Sequence, residues 1–238
     1  MKHLNTYITE YIIKKKLDTP IDSEDHYEFF PKTKKELRKN IQELLDANVY
    51  DLNCIDTSEI IDMASLFDSG NYDKTLDNID ISKWDVSKVK HMSGMFAGYE
   101  NFNCDLSNWN VRNVTNMAFM FYNCRNFNCN LSNWDVSNVI NMNSLFYRCN
   151  NLTCDLSNWK VDKVKKMNKM FYECYNINFN LSKWNVSKVT NMAFMFNGCK
   201  NMECNGIDTW NPNTKTLRST LEMFNNTKIS NFPSWYKE

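Results

Sequence analysis

Tryptophan recurs along this chain with a fixed step. Trp84, Trp109, Trp134, Trp159 and Trp184 stand 25 residues apart, and Trp210 follows after 26. A repeat this short cannot bury its own apolar face, so each unit must stack on its neighbours. The surrounding columns keep the same register. Leu106, Leu131, Leu156 and Leu181 lie three before Trp, and Val86, Val111, Val136, Val161 and Val186 two after. Val89 to Val189 recur five after, Met92 to Met192 eight after, and Phe96 to Phe196 twelve after. One earlier coil begins at Ile55, with Ile60, Met63, Leu66 and Phe67 in register; it is 29 residues long and carries its insertion within 68–81. A looser last coil follows Trp210 and reaches Met223 and Phe224, giving about seven coils in all.

Within a unit the periodicity is mixed. Leu-Ser-Asn-Trp-Asp-Val-Ser-Asn-Val has spacings that suit two short strands joined at a corner, whereas Met-x-x-Met-Phe has helical spacing. Thr115 or Asn116 is placed to cap such a half-helix, since a side-chain oxygen there accepts an orphan backbone N–H. The expected unit is strand, corner, strand and one helical turn, stacked into a solenoid at roughly 4.8 Å per coil. Ser107, Ser132, Ser157 and Ser182, with Asn101, Asn126, Asn151, Asn176 and Asn201, form polar columns. Inward amides from them are expected to satisfy backbone groups at the corners.

The pattern Leu-Ser-x-Trp-Asp-Val-Ser-x-Val-x-x-Met-x-x-Met-Phe-x-x-Cys resembles the BspA-like repeat family of unknown function, first noted in mycoplasma and other bacterial surface proteins. The resemblance covers about residues 50–235. It implies a leucine-rich-repeat-like solenoid with a parallel sheet, and no shared catalytic motif. Some relatives of this kind are surface adhesins or lipoproteins.

Residues 1–50 do not repeat and are expected to form an N-terminal helical cap, with the repeat region at 51–238. Leu4, Tyr7, Ile8, Tyr11 and Ile12 predict a short amphipathic helix over 2–17, and Pro20 and Pro31 bound a linker. Thr33-Lys34-Lys35-Glu36 reads as a capping box, opening a helix from 33 to about 47 that buries Leu37, Ile41, Leu44 and Leu45.

Composition narrows the function. Lys+Arg and Asp+Glu are both 28, so the net charge is zero, which disfavours nucleic acid as a partner. Aromatic residues at 14% exclude a disordered chain, and 5 Gly with 4 Pro exclude a collagen-like one. The 37 Asn are read as partly the mark of an AT-rich genome and partly structure. No secretory signal, lipid-anchor cysteine or apolar run of membrane length is visible, so a cytoplasmic protein is expected, with a virion as the alternative.

Candidate chemistry is sparse. Nine Cys fall mostly in two columns, Cys124, Cys149, Cys174 and Cys199, and Cys104, Cys129, Cys154 and Cys204. Tyr99 and Phe179 replace Cys in these columns, which reads as core packing rather than metal or redox work. His91 is the sole His of the repeats, seven after Trp, where it is expected at the surface. With no phosphate loop and no paired carboxylates, no enzyme, cofactor or metal is expected. Lys160, Lys163, Lys165, Lys166 and Lys169 form a local basic patch. Tyr122, Tyr147 and Tyr172 recur thirteen after Trp, and Phe119 and Phe194 stand at a variable position ten after. Tyr175 departs similarly from its column. Aromatic residues on a rigid surface bring large contact area at small entropy cost. The expectation is a non-enzymatic protein-protein interaction scaffold using this stripe. The alternatives are a self-assembling component of a phage or viral particle, and a surface adhesin.

Overall fold

The computed structural model describes residues 27–68, 72, 76–203 and 206–236. The helix predicted over 2–17 and Cys204 lie outside these. The first element among the described residues is helix α1, Lys34–Asp46, and it starts where the capping box places it. The Thr33 side chain accepts from the Glu36 amide at 3.2 Å, and the Glu36 carboxylate accepts from the Thr33 amide at 3.2 Å. Two orphan donors of the first turn are thereby satisfied. Leu37, Ile41, Leu44 and Leu45 are fully buried on one face, against the first repeat.

The strand-built architecture is not what the repeats adopt. The expected leucine-rich-repeat-like solenoid, with short parallel strands and a helical turn in each coil, is corrected by the structure. Among the described residues there is one α-helix, a single 3-10 turn at Ile207–Thr209, and no sheet. Neighbouring repeats meet in isolated parallel bridges of one residue each: His91 to Asn116, Asn116 to Asn141, Asn141 to Lys166 and Lys166 to Asn191.

The physical reason lies in how often each repeat bends. Counting from Trp, the residue at −4 opens one Asx turn: Asp105 Oδ1 accepts from the Ser107 amide and Asn130 Oδ1 from Ser132. A second opens at +1, where Asp135 Oδ1 accepts from the Ser137 amide at 3.1 Å. A third opens at +7, where Asn116 Oδ1 accepts from the Ala118 amide at 3.1 Å. Side-chain oxygens two residues back replace the cross-strand partners an extended run would need. The Met-x-x-Met-Phe stretch is likewise not helical. Its +10 and +14 residues are left-handed in repeat after repeat: Phe119 (φ 60°) and Asn123 (φ 59°), Ser144 (φ 51°) and Arg148 (φ 58°), Lys169 (φ 56°) and Glu173 (φ 54°). L residues pay roughly 1–2 kcal/mol each for that conformation. The alternation turns every second amide toward the next repeat. Met117, Phe119, Phe121 and Asn123 donate to the carbonyls of Asn141, Asn143, Leu145 and Tyr147 at 2.7–3.0 Å.

Three side-chain columns tie each repeat to the one before. Each Trp indole donates to a carbonyl at the −3 position of the preceding repeat, as Trp134 does to Leu106 (3.0 Å) and Trp159 to Leu131 (3.0 Å). Trp235 does the same to Ile207 and stacks on Trp210 at 6.1 Å, so it is a further rung, 25 residues on. Each Phe of the +12 column stacks on the next, with centroids 5.6 Å apart from Phe67 to Phe146 and again from Phe171 to Phe196. The Cys124, Cys149, Cys174 and Cys199 thiols donate to the Phe carbonyls of the preceding repeat at 2.8–3.1 Å. These thiols are free and buried, and burial pushes their pKa values up. A thiol that donates in this way stays protonated and is no nucleophile.

The Asn column does not point inward. Asn101, Asn126 and Asn151 are exposed; Asn126 donates to Asn101 Oδ1 and Asn151 to Asn126 Oδ1, both at 2.8 Å. The chain of amides breaks at Asn176, which donates to the Asn150 carbonyl instead.

The two ends of the stack differ. At the first repeat, α1 reaches across: Lys34 Nζ donates to the Ala64 carbonyl (3.2 Å) and Arg38 Nη2 to the Ser65 carbonyl (2.7 Å). At the other end, the Glu222, Phe224 and Asn226 amides occupy donor positions of the earlier repeats but meet no acceptor among the described residues.

Candidate binding face

The +13 residue follows the buried Phe and stays at the surface. Tyr122, Tyr147 and Tyr172 are half-buried there and form a ladder. The Tyr122 and Tyr147 rings lie 4.5 Å apart at 11°, and Tyr147 and Tyr172 lie 4.7 Å apart at 4°. The buried Phe column below fixes the spacing, so the ladder is pre-organised. Partial burial raises the Tyr147 and Tyr172 hydroxyl pKa values, which keeps the edge of the ladder neutral.

Charge borders the middle of the ladder. The Arg148 guanidinium carbon lies 5.3 Å from the Tyr147 ring centroid, and its Nε donates to Glu173 Oε2 at 2.8 Å. Both residues are left-handed +14 positions of adjacent repeats, and their side chains pair beside the ladder. Phe119 stands beside Tyr122, with centroids 6.0 Å apart, and is 45% exposed despite its left-handed backbone. An exposed aromatic held in that conformation gains little for the core.

Among the described residues the other sequence-predicted aromatics make no ring contact with the ladder and meet lysines instead. Lys169 Nζ sits 5.3 Å from the Phe194 centroid, and Lys200 Nζ 4.8 Å from that of Tyr175. The basic patch is exposed but interrupted. Lys163 Nζ donates to Asn138 Oδ1 at 2.6 Å, while Asp135 feels Lys160 and Asp162 accepts from Asn185. Lys165 and Lys166 project from the bridge corner, and Lys169 belongs with Phe194. His91 is exposed at that same corner of its own repeat.

The ladder ends differently at its two sides. Beyond Tyr172 the +13 residue is Asn197, buried and donating to the Glu222 carbonyl at 3.3 Å. Before Tyr122 it is Ala97, and there a groove of about 410 Å³ opens. Ser65, Ser93, Gly94 and Ala97 line it together with Phe119, Tyr122 and Asp68. Sequence reasoning followed the tyrosines and missed this gap. The signal was present, since counting thirteen from Trp84 lands on Ala97.

Among the described residues no group of His, Cys, Asp and Glu is arranged to hold a metal ion. Among the same residues no helix is long and apolar enough to cross a membrane. No curated protein and no solved structure matches the chain. One family does match, over residues 35–152 and again over 126–235, two overlapping segments that span most of the repeats. On that coverage the chain belongs to the family described as Mycoplasma protein of unknown function, DUF285.

Proposed function

We propose that this chain is a non-enzymatic scaffold of the BspA-like kind that binds another protein along the tyrosine ladder. The observation that carries the reading is the ladder itself: three parallel, stacked phenol rings, half-exposed, held in place by a continuous buried Phe column. Rigid aromatic surfaces lose little entropy on binding and supply the anchors that dominate interface energies. The buried thiols, which act as hydrogen donors only while reduced, favour a reducing compartment such as the cytoplasm. The two ends weigh against head-to-tail assembly of copies. Lys34 already occupies the Ala64 carbonyl, one of those where the donors of a second copy would dock, and Arg38 covers the neighbouring Ser65 carbonyl.

Capture from a lysate of the native host tests this reading, with wild type compared against a variant in which Tyr122, Tyr147 and Tyr172 are all Ser. The expected result is one protein enriched by wild type and lost with the variant, while circular dichroism of the two stays alike. Equal capture by both would refute the ladder as the binding face.

A further inference from the structure

We infer that the gap at the head of the ladder is a socket for an arginine side chain of the partner. The inference rests on the scaffold reading and names the chemistry that would recognise the bound protein. Three observations carry it.

The first is a missing rung. Tyr122 stacks on Tyr147 with one ring face, and its other face looks toward Ala97, the same position one repeat earlier. A methyl group stands where the next ring would, so the groove beside Tyr122 has the place of one more flat group in the ladder. Gly94 (φ 62°) and Ser93 keep the neighbouring wall low.

The second is charge. Asp68 lines the groove and is half-buried. Among the described residues no Lys or Arg side chain pairs with it. A planar cation would stack on the Tyr122 ring and meet this carboxylate, whereas a neutral ring would leave the carboxylate desolvated.

The third is a precedent within the same ladder. One repeat further on, Arg148 lies over Tyr147 and is paired with Glu173. The ladder thus already pairs a guanidinium with both a tyrosine ring and a carboxylate, beside a rung whose two faces carry Tyr122 and Tyr172. At the groove it offers a tyrosine face and a carboxylate, and among the described residues no cation lies over that ring or pairs with that carboxylate, Arg38 being engaged with the Ser65 carbonyl. Arginine fits better than lysine, because its flat, weakly hydrated head can stack on the ring and meet the carboxylate with a second N–H at once.

The test is a titration of ¹⁵N-labelled full-length protein with three capped tripeptides, Gly-Arg-Gly, Gly-Lys-Gly and Gly-Phe-Gly. The Arg peptide is expected to move the Gly94, Ala97 and Gly98 amides saturably. The Lys and Phe peptides are expected to bind about tenfold more weakly or worse. Ala97→Tyr, which fills the rung, should abolish the Arg response, and Asp68→Asn should weaken it about tenfold. Asp68→Asn removes only a charge, so it decides the matter if Ala97→Tyr fails to fold. Equal response to Arg and Lys, strongest response to Phe, or shifts away from the groove would overturn the socket. A captured partner lost with the triple Tyr→Ser variant but retained by Ala97→Tyr would also overturn it, while leaving the ladder standing as the binding face.

Discussion

Phe146 and Tyr147 are neighbours in sequence and belong to two adjacent ladders with opposite fates. The Phe ladder runs unbroken from Phe67 through Phe96, Phe121, Phe146, Phe171 and Phe196 to Phe224, with ring centroids 5.6–6.0 Å apart. The Tyr ladder has three rungs, packs more tightly at 4.5–4.7 Å, and stops at Ala97 and Asn197. A core position must be filled in every repeat, because an empty rung leaves a cavity between two neighbours. A surface rung can be dropped at little cost. Where a surface column is filled in only part of the stack, packing alone does not account for it, and the place where it stops becomes informative.

The largest expected effect breaks the inner ladder. Phe146→Ala removes a fully buried ring flanked by Phe121 and Phe171 and should cost about 3–5 kcal/mol in urea unfolding. Tyr147→Ala, one residue on, should cost about 1–2 kcal/mol, the worth of its two stacking contacts. Equal costs would erase the distinction between the ladders.

A second effect concerns the thiols and tyrosines packed around the inner columns. Burial pushes Cys104 up to about 11 and Cys129 up to about 12, and Tyr99 to about 12. In the unfolded chain thiols ionise near 8.5 and phenols near 10. The unfolded state therefore loses protons first as pH rises, and stability must fall. It should be flat below about pH 8.5 and decline progressively from pH 9 toward 12. Urea midpoints measured at pH 7, 9 and 10.5 check this; a midpoint that rises over that range would contradict the burial of these groups.

The smallest effect sharpens the account of the turns. Asn123 is left-handed (φ 59°), and its Oδ1 is buried without a partner, whereas Gly98 and Gly198 stand at the same position of other repeats. Asn123→Gly should stabilise by about 1 kcal/mol in the same unfolding assay, since it removes both the backbone strain and the orphaned oxygen. Destabilisation would mean that the side chain has a task the geometry does not reveal.

The register of the repeat, the capping box of α1 and the buried columns were legible in the sequence, because each depends on residue type at a fixed spacing. Secondary structure was not. Met117, Met120 and Phe121 have helical spacing, yet they reach the core through turns with left-handed Phe119 and Asn123 among them. Only Gly94, Gly98 and Gly198 hinted at that conformation, and Phe, Ser, Lys and Arg at the matching positions concealed it. The Asn column that starts at Asn101 was visible, but its use was misread: it hydrogen-bonds along the surface instead of pointing inward, while other Asn and Asp positions open the Asx turns. The rung at Trp235 went unnoticed because Trp210 had already slipped the register by one residue. On the candidate face, Phe119 and the tyrosines were identified, while Phe194 and Tyr175 pair with lysines. The groove escaped notice because it is made by small residues, which carry no chemical signal of their own.

The central claim is that the inner ladder holds the fold and the outer ladder is free to bind. One paired measurement tests it: the urea midpoint and the partner capture of the Tyr122/Tyr147/Tyr172→Ser protein, read on the same preparation. The account predicts a cooperative unfolding transition, shifted only modestly, together with loss of the captured protein. An unfolded variant, or a folded one that still captures its partner, would contradict it.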